Sequence, residues 1–202
     1  MIYNQFATAF AIIIAYLFGS LSMAIIICKI LHLPDPRSQG SGNPGATNVL
    51  RYNGKKVAAI TLLGDVLKCV IPIVVAKKYG FNSFELALIT FAAFLGHLYP
   101  IFFHFKGGKG VAPALGCWLA LAWPMGLLLA VTWLCIAILT RYSSLAALIT
   151  ALLAPSYAWY FTNGTFAVMA FCMSLLLIYR HAKNIRNLYT GKETKIGKKF
   201  AP

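Results

Sequence analysis

Apolar segments of bilayer length recur along this 202-residue chain, and almost no carboxylate interrupts them. A membrane-spanning helix needs about 20 predominantly apolar residues, because the hydrocarbon core is about 30 Å thick and a helix rises about 1.5 Å per residue. Residues 6–33, 57–76 and 84–103 supply three such segments. The long run 111–139 carries "AWPM" at Ala122 to Met125, a turn signal that divides it into 111–123 and 126–139; one long tilted helix is the open alternative. Segments 145–161 and 166–179 complete the set, separated by the turn "TNG" at Thr162 to Gly164. The predicted fold is an all-α integral membrane protein with seven transmembrane helices, forming one polytopic domain over residues 1–202.

Composition supports that class. The only carboxylates are Asp35, Asp65, Glu85 and Glu193, against eighteen Lys and Arg. A surface facing water carries many charges of both signs, so most of this surface is expected to face lipid. The first apolar run lacks a preceding cation and a following cleavage site, so it reads as a span and not a signal peptide. Cys28, Cys69, Cys117, Cys135 and Cys172 are scattered singly through apolar segments, with neither metal spacing nor a disulfide framework. The formal charge of +14 offers no groove-reading element for nucleic acid. Anionic lipid and a small anionic substrate explain it more simply.

Cations mark the cytoplasmic side of a membrane protein. Arg37, Arg51, Lys55 and Lys56 follow the first span, Lys106 and Lys109 the third, Arg141 the fifth, and a basic tail from Arg180 the last. All fall on one side when the N-terminus is outside and the C-terminus cytoplasmic; Lys77 and Lys78 alone oppose this orientation. The expected cytoplasmic segments are 34–56, 104–110, 140–144 and 180–202, and segments on one face can converge into one site.

The first of these contains "QGSGNPGATN", in which Gly40, Gly42 and Gly45 form a G-x-G-x-x-G, with Asp65 twenty residues beyond. A dinucleotide-binding unit needs a strand before those glycines and a soluble βαβ frame around them. Here a membrane helix precedes them and Asp65 lies inside the next span, so that reading fails. Glycine still leaves backbone N–H groups uncovered, and successive amides can point at one anion. "FKGGKG" at Phe105 to Gly110 is a second cationic glycine loop on the same face, without the spacing of a P-loop.

Together, "GSGNPGATNVLR", "GHLYPIFFHFKGGKGVA" and "RHAKNIRNLYTGKE" resemble the three motifs of the acyl-phosphate-dependent glycerol-3-phosphate acyltransferases of bacterial membranes. "DVLK" at Asp65 to Lys68 and "YSSL" at Tyr142 to Leu145 follow the same order, so the resemblance spans nearly the whole chain. It implies seven membrane helices in the bacterial inner membrane with a cytoplasmic active site. It also implies acyl transfer from acyl phosphate to the 1-hydroxyl of glycerol 3-phosphate. The products would be lysophosphatidic acid and inorganic phosphate, in the first acylation of phospholipid synthesis.

By motif position, the resemblance assigns activity and glycerol-phosphate binding to Ser41, Arg51, Lys109, His181 and Asn184, with Lys106 kept beside Lys109. Amides around Gly42, Gly45, Gly107 and Gly108 would cradle the acyl-phosphate head, with Thr47, Asn48 and Ser143 nearby. Arg186 and Glu193 complete the third motif, Glu193 orienting cations. An acyl phosphate is already an activated mixed anhydride, so the protein has to align two anions and stabilise an oxyanion. No metal or nucleotide cofactor is expected. The resemblance implies a substrate phosphate as proton acceptor and no acyl-enzyme, with His181 a hydrogen-bonding positioner; Ser41 has no evident base.

Asp65 and Lys68, three apart on a helix, are expected to pair and support the loops, and His97 either to hold a loop or to pack. The four tryptophans read as interface anchors. Two positions depart from the family pattern: Pro113 replaces a hydroxyl residue and Cys69 a glycine. The rival function is a membrane carrier for organic phosphate, against which stand the one-sided loops and the lack of an inverted repeat. The expected partners are the two small substrates and membrane lipid, and the expected unit is a monomer.

Overall fold

The computed structural model describes residues 2–198, and every regular element among them is helical. The first apolar run gives α1 (Ile2–Gly19) and α2 (Met23–Ile30), bent by 48°. The run was expected to be one span; the break follows from Ser20–Leu21–Ser22. A broken helix frees carbonyls that lipid cannot satisfy. Ser20 Oγ donates to the Tyr16 carbonyl at 2.8 Å, and Lys68 Nζ to the Leu21 carbonyl at 2.7 Å.

The second span starts earlier than expected: α3 runs Ala46–Lys78, so the stretch after "NPG" is helix and not loop. At Gly54 φ is +85°, a conformation glycine reaches without a Cβ penalty, and α3 kinks there. α4 (Ser83–Leu98) stops before the Tyr99–Pro100 corner. α5 (Val111–Leu121) and α6 (Trp123–Thr140) part at Ala122, as the "AWPM" turn foretold, and Pro113 sits in the first turn of α5. α7 (Ser143–Phe161) and α8 (Gly164–Arg180) meet at the "TNG" turn, and α9 (Ala182–Tyr189) follows. The last four residues of the basic tail, 199–202, lie outside the described residues.

Four of the described helices are long and apolar enough to cross a membrane, or six if each bent pair counts once; the 11-residue α5 is shorter. Small residues bring the helices together, as lipid-embedded packing requires. A Cβ on Gly19 would lie 2.0 Å from the Ala93 carbonyl oxygen, and one on Gly96 2.3 Å from that of Tyr16, so α1 and α4 nearly touch backbones. Gly116 does the same for α5 against Val66 of α3. Large apolar side chains point outward instead: Leu63, Val131, Ile138, Leu152 and Val168 are each more than half exposed. Such a belt is what a lipid-facing surface looks like.

Trp118 is 1% exposed in the core and Trp133 packs inside the bundle, which corrects their reading as interface anchors; Trp123 and Trp159 are exposed. Lys77, which with Lys78 lies at the other end of α3 from Arg51, has a structural reason to be there. Its Nζ donates to the Ala120 and Leu121 carbonyls at 3.0 and 3.1 Å, closing the C-terminus of α5.

Candidate active site

The N-termini of α3, α5 and α7 and the C-terminus of α8 lie at one end of the bundle, around a cavity of about 610 Å³. Ala46 and Thr47 begin α3, Val111 and Ala112 begin α5, and Ser143 and Ser144 begin α7; all six line the cavity. The residues ahead of these helices, Gly45, Gly110 and Tyr142, offer no side-chain cap. First-turn amides and three positive dipole ends therefore face one space, the arrangement that binds phosphate elsewhere.

Charged side chains reinforce it. Lys109 Nζ donates to Asn184 Oδ1 at 2.6 Å, and Asn184 Nδ2 donates to Glu193 Oε1 at 2.7 Å. Ser144 Oγ donates to the same Glu193 oxygen at 2.6 Å. Glu193 thus orients Asn184, which orients Lys109. Burial pulls the Lys109 pKa down to about 8, with Arg51, Arg180 and Lys183 pushing the same way against Glu193. Arg51 reaches in from α3, its Nη2 donating to the Thr194 carbonyl at 2.9 Å. His181 Nδ1 bonds the Leu177 carbonyl at 2.8 Å, so that nitrogen carries the proton and Nε2 is the acceptor. Burial lowers the His181 pKa to about 4, and Lys109 and Arg180 add to the effect, so the ring is neutral at physiological pH.

Ser41, Gly45, Thr47, Asn48, Arg51, Lys109, Ser143, His181, Asn184 and Glu193 all line this cavity. Thr47 Oγ1 and Ser143 Oγ are 3.2 Å apart. Asn48 holds the first glycine loop closed: its Oδ1 accepts from the Ser41 amide at 3.2 Å, and its Nδ2 donates to the Pro36 and Gln39 carbonyls at 2.9 and 3.0 Å. Gly42, Lys106, Gly107, Gly108 and Arg186 are not among the lining residues. Lys106 and Arg186 are exposed, which singles out Lys109 as the lysine of "FKGGKG" that faces the site.

The expected cradle of glycine amides needs correcting. The amides of Gly42, Gly45 and Gly108 already donate to the carbonyls of Gln39, Asn43 and His97. Gly42, at φ +72°, makes a turn only glycine makes cheaply, while Gly107 and Gly108 leave no room for a side chain against His97. Sequence reasoning missed Arg180, whose Nη2 and Nε donate to the Gly107 and Gly108 carbonyls at 2.8 and 3.2 Å. It also took Ser143 of "YSS" and passed over Ser144, which holds Glu193.

Below this polar end the cavity continues between apolar side chains, among them the buried Trp118, Leu129 and Met173 in the middle of the bundle. A site polar at its mouth and greasy in its depth suits an anionic head on a hydrocarbon chain.

Residues 9–191 match the family model described as Glycerol-3-phosphate acyltransferase. A protein of Methylococcus capsulatus called glycerol-3-phosphate acyltransferase is 54% identical over 186 residues, covering 92% of this chain and 94% of its own. One of the same description from Vibrio vulnificus is 54% identical over 191 residues, covering 93% and 92%. Among solved structures, the glycerol 3-phosphate form of PlsY (YgiH), an integral membrane glycerol 3-phosphate acyltransferase, superposes with a TM-score of 0.90. It shares 41% identity, with 95% of this chain and 96% of that chain covered. Its lysophosphatidic acid form gives 0.88 at 39% identity, with the same coverage.

Proposed function

The chain belongs to the glycerol-3-phosphate acyltransferase family and acylates glycerol 3-phosphate to lysophosphatidic acid within a membrane; from that premise we propose that the acyl donor is an acyl phosphate and that the polar end of the cavity is where both phosphates are held. The observation that carries this reading is the meeting of three uncapped helix N-termini with Lys109 and Arg51 above an apolar channel. Two phosphate groups repel each other, and these donors offset that repulsion while the acyl chain lies along the channel.

In this mechanism the 1-hydroxyl oxygen of glycerol 3-phosphate attacks the acyl carbon. The carbon–oxygen bond to phosphate breaks, its electron pair leaves with the phosphate, and the hydroxyl proton passes to a phosphate oxygen. His181, neutral with Nε2 as acceptor, positions the hydroxyl and is too weak a base to remove its proton outright. Lys109, set by Asn184 and Glu193, neutralises phosphate; Arg51, Thr47, Ser143 and the first turns of α3, α5 and α7 complete the anion site. Ser41 contributes its hydroxyl to glycerol phosphate, and Gly42, Gly45, Gly107 and Gly108 shape the loops. Lys106 and Arg186, exposed outside the cavity, contribute charge at the approach.

The membrane reading is one polytopic domain of seven spans, the short α5 counted with them, in the bacterial inner membrane. The polar end faces the cytoplasm and the N-terminus lies outside. Lys77, bonded to α5 carbonyls, ceases to count against that orientation.

Purified protein in lipid mesophase or detergent, given acyl phosphate and glycerol 3-phosphate, should release phosphate only when both are present. Equal activity on acyl-CoA removes the donor assignment. Uptake of glycerol phosphate into vesicles without turnover makes the chain a carrier.

A further inference from the structure

The chemistry above makes no use of Asp65, Lys68 and His97, yet all three are buried at membrane depth, at 2, 4 and 5% exposure. Charged groups there are costly and are kept for a reason. A lysine ammonium has three protons and no acceptor. Lys68 Nζ meets Asp65 Oδ1 at 2.8 Å, His97 Nδ1 at 2.9 Å and the Leu21 carbonyl at 2.7 Å. Nδ1 of His97 must therefore accept, which leaves the ring proton on Nε2 and fixes both tautomer and orientation.

The locked ring is the seat of the second glycine loop. A Cβ on Gly108 would fall 2.1 Å from His97 Nε2, and one on Gly107 2.0 Å from the His97 carbonyl oxygen. That carbonyl accepts the Gly108 amide at 3.1 Å. Arg180 holds the other side of the loop through the Gly107 and Gly108 carbonyls. The residue that follows is Lys109, and Asp65 and His97 both line the cavity into which it reaches.

We propose that Asp65, Lys68 and His97 are positioning residues for acyl transfer: together they fix the His97 ring, and the ring sets the height of Gly108 and so the aim of the Lys109 ammonium. The proposal rests on the reading of Lys109 as the substrate-binding cation. An ion pair serving only to join α3 and α4 would need no histidine under the loop, and its loss would lower stability alone. A positioning role changes how Lys109 titrates. Its ammonium is surrounded by Asn184 and Lys183 of α9, Arg51 of α3, Arg180 of α8 and Glu193 of the C-terminal segment. Releasing the loop moves it from that setting toward water, where lysine titrates near 10.4.

The test is phosphate release by the full chain in detergent, with palmitoyl phosphate and glycerol 3-phosphate, across about pH 6 to 10. Each variant's melting temperature is measured alongside. His97→Leu and Lys68→Met should lower kcat/KM by ~10²-fold, the usual cost of a misplaced catalytic group, and move the alkaline limb upward. His97→Gln, which keeps a donor and an acceptor, should recover part of the rate and bring the limb back. Gly108→Ala, whose Cβ would press on the His97 ring while removing none of the three ionisable side chains, should shift the limb in the same direction; it decides the matter if Lys68→Met does not fold. Wild-type kinetics in His97→Leu, or a rate loss that follows melting temperature with an unmoved limb, overturns the proposal. Lys109→Ala in the same series separates the two readings. Its retention of activity removes the site assignment, whereas its collapse beside a fully active His97→Leu removes the positioning role alone.

Discussion

At one end of the bundle, α4 starts under the side chain of Asn82, which accepts the Phe84 and Glu85 amides at 3.0 and 3.1 Å while Glu85 returns a bond to the Asn82 amide. There too α8 starts under Asn163, which accepts the Phe166 amide. At the other end, α3, α5 and α7 start behind Gly45, Gly110 and Tyr142 with no side-chain cap. A cap contributes about 1 kcal/mol, so the second end forgoes local stability three times over. It also gathers Arg51, Lys109, Arg180 and Lys183 around one carboxylate, Glu193. The first end closes two of its helix starts with side chains, α6 behind Ala122 having none, while on the proposed reading the second end is left unfinished for anions.

The largest effect expected at the unfinished end is that of Lys109→Ala. Removing one preorganised donor to developing charge costs about 10²–10³-fold, so phosphate release should fall by that much with the melting temperature preserved. Arg51→Lys comes next: a point charge replaces a planar fork, and KM for glycerol 3-phosphate should rise by about 10-fold with kcat less affected. Gly45→Asp supplies the missing cap to α3 and sets a carboxylate where phosphate is to bind. It should raise KM for both substrates, while a lower KM would break the contrast between the ends. Its counterpart, Asn82→Ala, should lose about 1 kcal/mol of stability and no activity.

The smallest effect is a pH dependence. In the proposed mechanism Lys109 binds phosphate as its cation, which is present below its pKa of about 8 and lost above it. Thus kcat/KM should fall as pH rises through about 8. Bound phosphate favours the ammonium, so the limb in kcat should lie at higher pH. His181, titrating near 4, should add no step between about pH 5 and 9.

The capped end was largely readable from sequence. Apolar runs gave the helices, and "AWPM" and "TNG" gave the breaks, because proline, glycine and asparagine act locally. The other end was harder. "TNVLRYNGKK" is polar enough to pass for a loop, yet it is the start of α3, stabilised by packing of Val49 and Ala58 against Ala24. Of the motif residues named in advance, ten share one cavity, whereas Gly42, Lys106, Gly107, Gly108 and Arg186 do not line it, and the glycines' roles were misread. That Gly107 and Gly108 fit against His97, and that Gly108 gives its amide to that residue's carbonyl, depends on contacts between distant segments. Arg180 was invisible for the same reason, reading as one more cation at a helix end.

The most direct test is a crystal structure of this chain with glycerol 3-phosphate and a non-transferable acyl phosphonate bound together. Both phosphorus atoms are expected at the uncapped end, within hydrogen-bonding reach of Lys109, Arg51 and the first turns of α3, α5 and α7, with the acyl chain passing Trp118 and Leu129. A phosphate seated away from those helix starts, with Lys109 and Arg51 making no contact to either ligand, would contradict it.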